Sequence, residues 1–146
     1  MKSITLLACL LLSAACFAQS DRDAVASAVT DYIDAFYYGD SMKQHRSISP
    51  NVQKWGYWRH KDSANYSNGE AMSWQAITDY VARVKARNNP AAADKFVKKV
   101  EVLDVQDKTA SAKCTAWWGT DYLLLAKLNG RWMITHVLWQ SAPPQK

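Results

Sequence analysis

The strongest constraint on the fold lies in residues 119–140, GTDYLLLAKLNGRWMITHVLWQ. Two runs rich in branched and aromatic residues flank the dipeptide Asn129-Gly130. Asn and Gly accept the positive φ angles that a tight hairpin turn requires, so the pattern predicts a long terminal β-hairpin. A two-stranded ribbon with two apolar faces is not stable alone in water. Other parts of the chain must therefore cover one face, and the second face is expected to be a cavity wall or an association surface.

Strict alternation along the second arm of this hairpin divides its side chains between two faces. His136 would then lie among apolar side chains. Counting outward symmetrically from the turn places Asp121 opposite Leu138. That register makes Asp121 a diagonal, same-face neighbour of the His136 imidazole. The predicted faces are Trp132, Ile134, His136 and Leu138 on one side, and Met133, Thr135, Val137 and Trp139 on the other.

Residues 1–18 have the composition of a secretory signal peptide. A single early charge, Lys2, precedes an apolar run over residues 4–15 that is too short to span a bilayer. We expect cleavage after Ala18 and a periplasmic or secreted protein. The alternative is that Cys16 becomes the lipid-modified first residue of a membrane-anchored protein. The two interpretations predict different mature N-termini.

Residues 19–146 are expected to form a single domain, because that length suits one hydrophobic core. Cys114 is the one cysteine left after cleavage, so no internal disulfide is predicted. We interpret it as a small buried strand residue rather than a reactive thiol. The formal net charge of +5 for the whole sequence permits an anionic partner. Nucleic acid is not an expected partner of an exported protein, and membrane contact is expected only with a lipid on Cys16.

Three helices are predicted in the first two thirds of the chain. Ser20 would cap a helix over residues 21–38, whose apolar residues recur at three-to-four spacing, and Gly39 would end it. Asp40 would cap a second helix to about residue 48. Ser73 would cap a third helix with an apolar stripe, and residues 85–94, broken by Pro90, would form a connector.

Strands are predicted between and after these helices. The first, residues 52–60, is interrupted by Gly56, which we interpret as a bend or bulge. The others are residues 96–105, residues 109–118 and the two arms of the hairpin. Helices first and strands last favour an α+β fold, in which a curved antiparallel sheet wraps the first helix.

Two stretches, AVTDYIDAFYYGD and VEVLDVQDKTASAKCTAWWGTDYLLLAKLNGRWMITHVLW, resemble the nuclear transport factor 2-like superfamily, which has a cystatin-like fold. Within it, the chain is most similar to the small bacterial proteins labelled "putative lumazine-binding". The resemblance implies a cone: three N-terminal helices packed on a strongly curved antiparallel sheet, enclosing a pocket, frequently in a homodimer formed through the sheet. It implies little about chemistry, since the scaffold hosts isomerases, dehydratases and non-catalytic binders.

The catalytic members of the superfamily allow a comparison residue by residue. Ketosteroid isomerases need a carboxylate base on the strand after the second helix and a tyrosine from the first helix. Tyr32 matches the tyrosine, but residues 51–60 contain no Asp or Glu, which argues against that chemistry. For members resembling scytalone dehydratase, His136, Tyr57 and Asp121 are partial counterparts.

Aromatic residues are the main compositional signal, with seven Trp and seven Tyr. They suit a pocket that stacks a flat ring, or an apolar sheet face buried between two protomers. The three histidines lie on different elements without ligand spacing, so neither a metal nor a cofactor is predicted. The first hypothesis is a dimeric, non-catalytic binder of a small organic ligand. The alternatives are a hydrolase, dehydratase or isomerase using His136 with Asp121, and a homodimeric protein-interaction module. The expected ligand-binding residues are Tyr32, Trp55, Tyr57, Trp118, Asp121 and His136.

Overall fold

The computed structural model describes residues 2–60, 65–87 and 89–143. Helices and a six-stranded curved sheet form the α+β cone expected from the sequence. The helices are α1 (Lys2–Tyr38), α2 (Ser41–Ser47), α3 (Trp74–Arg87) and α4 (Pro90–Ala93). The strands are β1 (Ile48–Tyr57), β2 (Glu70–Ala71), β3 (Lys99–Val105), β4 (Thr109–Ala116), β5 (Gly119–Leu128) and β6 (Arg131–Gln140).

The sheet order is β2-β1-β6-β5-β4-β3. Every neighbouring pair is antiparallel except β1 and β6, which run parallel. Strand β6 therefore lies in the middle of the sheet, between β1 and β5. Strands β1 and β2 extend the curved sheet beyond the four consecutive C-terminal strands.

Helix α1 is longer than the sequence pattern predicted. It continues through Ser20 and Asp21, so Ser20 does not act as an N-cap in this chain. A capping residue begins a helix only where the preceding backbone is not helical, and residues 2–19 are themselves helical. The predicted end is confirmed, because Gly39 follows α1 with φ of +67°. A Cβ on Gly39 would lie 2.2 Å from the backbone nitrogen of Lys85, so only glycine lets α3 approach this closely.

Helix α2 begins at its predicted cap, where the Asp40 carboxylate accepts a hydrogen bond from the Lys43 backbone N–H at 3.0 Å. Two buried carboxylates of α1 then tie α2 to it. Asp31 accepts hydrogen bonds from the Arg46 guanidinium. Asp34 accepts hydrogen bonds from Lys43 and, at 2.7 Å, from Lys98.

The predicted connector after α3 is partly helical, because Pro90–Ala93 forms the short helix α4. Pro is favourable in the first turn of a helix, where its missing N–H would have no partner. Helix α3 itself has the predicted cap. The Ser73 hydroxyl accepts a hydrogen bond from the Ala76 N–H at 3.2 Å.

Strand β1 begins earlier than predicted and is irregular near its start. Ile48 pairs with Ile134 and Gln53 with His136, so β1 bulges between these positions, and Pro50 lies in the bulge. From Gln53 to Tyr57 the pairing is continuous. The bend predicted at Gly56 is therefore wrong. The glycine is needed because a Cβ there would lie 1.7 Å from Nε1 of the Trp139 indole.

The terminal hairpin forms as predicted, with positive φ at Asn129 (50°) and Gly130 (78°). Its register differs from symmetric counting. Leu124 pairs with His136, but Leu125 pairs with Ile134, so Thr135 is an extra residue on β6. This β-bulge reverses the facing of every later residue on the strand. Asp121 consequently pairs with Trp139 rather than Leu138.

The core lies between the concave face of the sheet and α1. Val25, Val29 and Ile33 of α1 are fully buried against inward residues of β5 and β6 such as Leu123 and Ile134. Within the described residues, no helix has the length and apolar composition of a membrane span.

Candidate functional site

A cluster of polar side chains is buried inside the cone. The Tyr32 hydroxyl donates a hydrogen bond to Asp121 Oδ2 at 2.5 Å. The same hydroxyl oxygen accepts a hydrogen bond from Lys54 Nζ at 2.6 Å. Trp118 Nε1 donates to Asp121 Oδ1 at 2.7 Å. Lys54 Nζ also lies 3.5 Å from Asp121 Oδ2. We call these four residues the inner cluster.

Three elements bring the inner cluster together. Tyr32 lies on the buried face of α1, one turn from Val29 and Phe36. On β1, Val52, Lys54 and Gly56 alternate inward while their neighbours are exposed. Asp121 faces inward from the start of β5. The cluster therefore joins the first helix, the first strand and the hairpin.

Burial dominates the electrostatics of the inner cluster. The side chains of Lys54 and Asp121 are 4 % and 0 % exposed. Burial lowers the pKa of Lys54, although the nearby Asp121 opposes the change. Burial also raises the pKa of Tyr32, and Asp121 adds to that shift. The phenol therefore keeps its proton through the physiological range, and the amine is closer to its neutral form than an exposed lysine.

An apolar cavity of about 220 Å³ meets the inner cluster at Lys54. The Lys54 Nζ lies 5.3, 5.4 and 5.5 Å from the ring centroids of Tyr32, Phe36 and Trp139. Tyr32 presents its hydroxyl to the amine, whereas Phe36 and Trp139, which line the cavity, bring their rings beside it. The cavity is lined by Phe36, Lys54, Met72, Tyr80, Trp117, Trp118 and Trp139.

A second cavity of about 450 Å³ shares Phe36, Tyr80 and Trp117 with the first. Its lining also includes the basic residues Lys85 and Arg87. The two cavities are therefore neighbours at these three rings, and the second reaches the basic end of α3.

The predicted ligand-binding residues divide into two groups in space. Tyr32, Trp118 and Asp121 come together in the inner cluster. Trp55 and Tyr57 lie on the opposite, outer face of the sheet, 43 % and 38 % exposed. Trp55 and Tyr57 alternate with the inward residues Lys54 and Gly56 on β1, so a regular strand turns them away from the cone.

His136 also lies on the outer face, which contradicts its predicted place beside Asp121. It is exposed and pairs with the exposed Leu124, whereas Asp121 is fully buried. The bulge at Thr135 is the reason, because it turns His136 outward and Val137 inward. The proposed acid–base pair of His136 and Asp121 is therefore not formed.

Sequence analysis missed Lys54. The alternation of side chains along a strand could have identified it, because a strand that buries Val52 also buries residue 54, provided that no bulge lies between them. A lysine at an inward position has to find partners or lose its charge.

Buried Cys114 is also inside the cone, and burial raises the pKa of its thiol, which makes it unreactive as a nucleophile. Among the described residues, no group of three or more His, Cys, Asp and Glu side chains is arranged to hold a metal ion. The chemistry available at the cavity is that of the Lys54 amine, the Tyr80 phenol and several aromatic rings, with the Asp121 carboxylate behind the amine.

Comparison with solved structures shows the fold. A protein of unknown function from Methylobacillus flagellatus, described as NTF2-like, is 20% identical and has a TM-score of 0.59, covering 84% of this chain and 92% of its own. One from Shewanella baltica is 15% identical with a TM-score of 0.56, covering 82% and 91%. A protein from Streptomyces avermitilis, described as a putative dehydratase of the NTF2-like family, is 15% identical with a TM-score of 0.54, covering 88% and 99%.

No curated protein matches the sequence. The model of the family described as "Putative lumazine-binding" matches residues 20–140, which include all the strands and every residue of the inner cluster. The chain therefore belongs to this family, and its fold is the one seen in the NTF2-like structures above.

Proposed function

We propose that the protein binds a small, planar organic ligand in the cavity above Lys54, without catalysing a reaction. The observation that carries the proposal is an apolar cavity of about 220 Å³ that is lined by aromatic rings and by Lys54, whose amine belongs to the inner cluster. Such a combination is typical of small-molecule sites. The family description supports a small ligand of this kind.

The cavity walls favour a flat ring. Phe36 and Trp118 contact each other with their centroids 5.5 Å apart, and Phe36 also contacts Tyr80 at 5.3 Å. Aromatic walls bind a conjugated ring through its faces and edges. Lys54 and Trp118 are the inner-cluster residues that line the cavity. Because the Trp118 indole N–H already donates to Asp121, the Lys54 amine is the group available to orient a ligand oxygen or nitrogen.

Titration with lumazine, followed by tryptophan fluorescence, tests the proposal. We expect saturable quenching, because three tryptophans line the cavity. Trp139→Ala removes a wall and should weaken binding by at least about tenfold, equivalent to 1.4 kcal/mol. The matched control is Trp55→Ala, which removes the same side chain from the outer face and should leave the affinity unchanged. Absence of saturable quenching by lumazine, riboflavin and other planar metabolites would contradict a planar-ligand site.

An enzyme that uses His136 is not proposed, because the imidazole lies outside the cavity on the outer face. Replacing it provides a control for the binding experiment. His136→Ala should leave lumazine affinity unchanged.

We also propose that the protein forms a homodimer through the outer face of the sheet. Tyr122, Leu124 and Leu138 are each more than half exposed there, beside Trp55 and Leu103, and line a groove of about 500 Å³. Two copies of a protein with a net positive charge repel each other, so they associate best through an uncharged surface such as this one. Light scattering should show a dimer, and Leu124→Glu should yield a monomer. A wild-type monomer at micromolar concentration would refute the proposal, and a monomer that captures another protein would support the interaction-module alternative.

Export is proposed on the composition of residues 1–18 alone. Mass spectrometry of the mature protein should find an N-terminus directly after Ala18. A diacylglyceryl-modified Cys16 as the first residue would instead establish the lipoprotein alternative.

A further inference from the structure

We propose that Lys54 captures the ligand covalently, as a reversible imine with an aldehyde or ketone group. The inference rests on the proposed function, since it assigns a chemical class to the ligand of the same cavity. It identifies that ligand as a small carbonyl compound attached to a flat or unsaturated ring.

The first argument is the position of the amine. Lys54 Nζ has the Tyr32 hydroxyl as a close acceptor at 2.6 Å and Asp121 Oδ2 at 3.5 Å. An ammonium group carries three N–H donors, whereas a neutral amine carries two and has a lone pair. Beyond these acceptors, Nζ lies 5.4 and 5.5 Å from the ring centroids of Phe36 and Trp139, two residues that line the cavity. A neutral amine therefore fits two acceptors on one side and directs its lone pair toward the apolar cavity.

The second argument is electrostatic and supports the first. Burial lowers the pKa of Lys54 even though Asp121 opposes the shift. A desolvated lysine in an apolar pocket is an activated nucleophile toward carbonyl carbon, because the neutral amine is the reactive form.

The third argument is the proton path. The neutral amine attacks the carbonyl carbon, a C–N bond forms, and the C=O π electrons move to oxygen. The nitrogen loses one proton and the oxygen gains one, giving a carbinolamine. Loss of a further nitrogen proton and of the hydroxyl as water leaves the C=N bond. The step therefore releases one water, needs no oxidant or reductant, and reverses by hydrolysis.

The inner cluster supplies the groups that this transfer needs. The Tyr32 hydroxyl lies between Lys54 and Asp121, accepting from one and donating to the other. It can take a proton from nitrogen while passing its own to the carboxylate. Trp118 holds the other carboxylate oxygen, so Asp121 keeps its orientation while the proton moves.

Reductive trapping tests the inference. The full-length protein is incubated with benzaldehyde or acetone and sodium cyanoborohydride, and adducts are located by peptide mapping. We expect one benzyl or isopropyl group on Lys54, formed faster than on the exposed Lys108. Lys54→Met, which keeps an unbranched side chain without the amine, should lose that adduct while Lys108 labels as before. Tyr32→Phe should slow labelling of Lys54 without moving it to another lysine.

Two outcomes separate this inference from the proposed function. If lumazine binds but Lys54 stays unlabelled by both probes, the imine is refuted and the binding site stands. If Lys54 is labelled but lumazine neither binds nor protects it, the imine stands and the planar-ligand proposal fails. Labelling of Lys54 no faster than Lys108 would also refute the imine, because the cavity would then confer no reactivity.

Discussion

Tyr32→Phe is the substitution that tests the inner cluster most directly. It removes one hydroxyl and leaves the ring, which packs against Phe36 with centroids 5.0 Å apart, in place. The hydroxyl makes two hydrogen bonds, one to Lys54 at 2.6 Å and one to Asp121 at 2.5 Å. Both partners are buried, so water cannot replace the lost group without entering the core.

The expected loss of stability follows from these contacts. A hydrogen bond to a charged group contributes about 1.5–3 kcal/mol, and a buried group left unpaired incurs its desolvation cost. The bond to the Asp121 carboxylate is of this kind, and the bond from the neutral Lys54 amine adds about 0.5–1.5 kcal/mol, so the two together give roughly 2–4.5 kcal/mol. Lys54 and Asp121 recover part of this by closing their separation of 3.5 Å. We therefore expect the free energy of unfolding to fall by about 2–4 kcal/mol, a large fraction of the ~5–15 kcal/mol typical of a domain.

Equilibrium unfolding in urea measures this change. With a slope of about 2 kcal/mol per molar urea, the midpoint should fall by about 1–2 M. Tyr57→Phe is the matched control, because Tyr57 is 38 % exposed and lies outside the groove proposed as the dimer contact, so loss of its hydroxyl should cost less than about 0.5 kcal/mol. A loss below about 1 kcal/mol for Tyr32→Phe would refute the inference that the hydroxyl links two buried polar groups.

Three further predictions concern Gly56, Lys54 and Asp34. Gly56→Ala places a Cβ 1.7 Å from Trp139 Nε1, so it should lower the free energy of unfolding, measured in urea, by about 1–3 kcal/mol. It should also weaken lumazine binding, because the indole is displaced. Unchanged binding would contradict this geometry. Burial lowers the pKa of Lys54, so below about pH 10.4 the unfolded chain holds that proton more tightly. Wild-type stability, measured relative to Lys54→Met by urea unfolding, should therefore rise as the pH approaches about 10.4, by at most about 1.4 kcal/mol per unit; a difference that stays flat up to that pH would indicate an amine with an unshifted pKa. Burial raises the pKa of Asp34, but hydrogen bonds from two lysines outweigh it and hold the pKa below its usual range. Asp34→Asn should therefore lose about 1–3 kcal/mol at neutral pH, with the deficit shrinking as the pH falls below about 3.9; a deficit that persists in acid would refute the ion-pair explanation.

Local signals in the sequence were sufficient for most of the fold. Asn129-Gly130 specified a turn with positive φ, and Asp40, Ser73 and Gly39 marked helix boundaries, because each acts on backbone atoms within a few residues. Boundaries were missed where neighbouring segments decided them. Ser20 could not begin a helix in a chain whose preceding residues are helical.

The site was predicted only where strands are regular. Asp121 faces inward as the alternation of a regular strand predicts, and Tyr32 faces inward as the spacing of apolar residues on α1 predicts. His136 faces outward, because one extra residue at Thr135 reverses the facing of the strand. The alternation of the sequence does not reveal that bulge.

The sequence by itself determined the elements, the curved sheet and the family, because periodicity, caps and turns are properties of short segments. Only the tertiary structure decided which residues form the inner cluster. Lys54, Tyr32 and Asp121 come from three elements far apart in the chain, and their contact depends on strand register and on how α1 packs against the sheet. Those are relations between segments, and a shift of one residue in either strand would turn the amine or the carboxylate to the outer face.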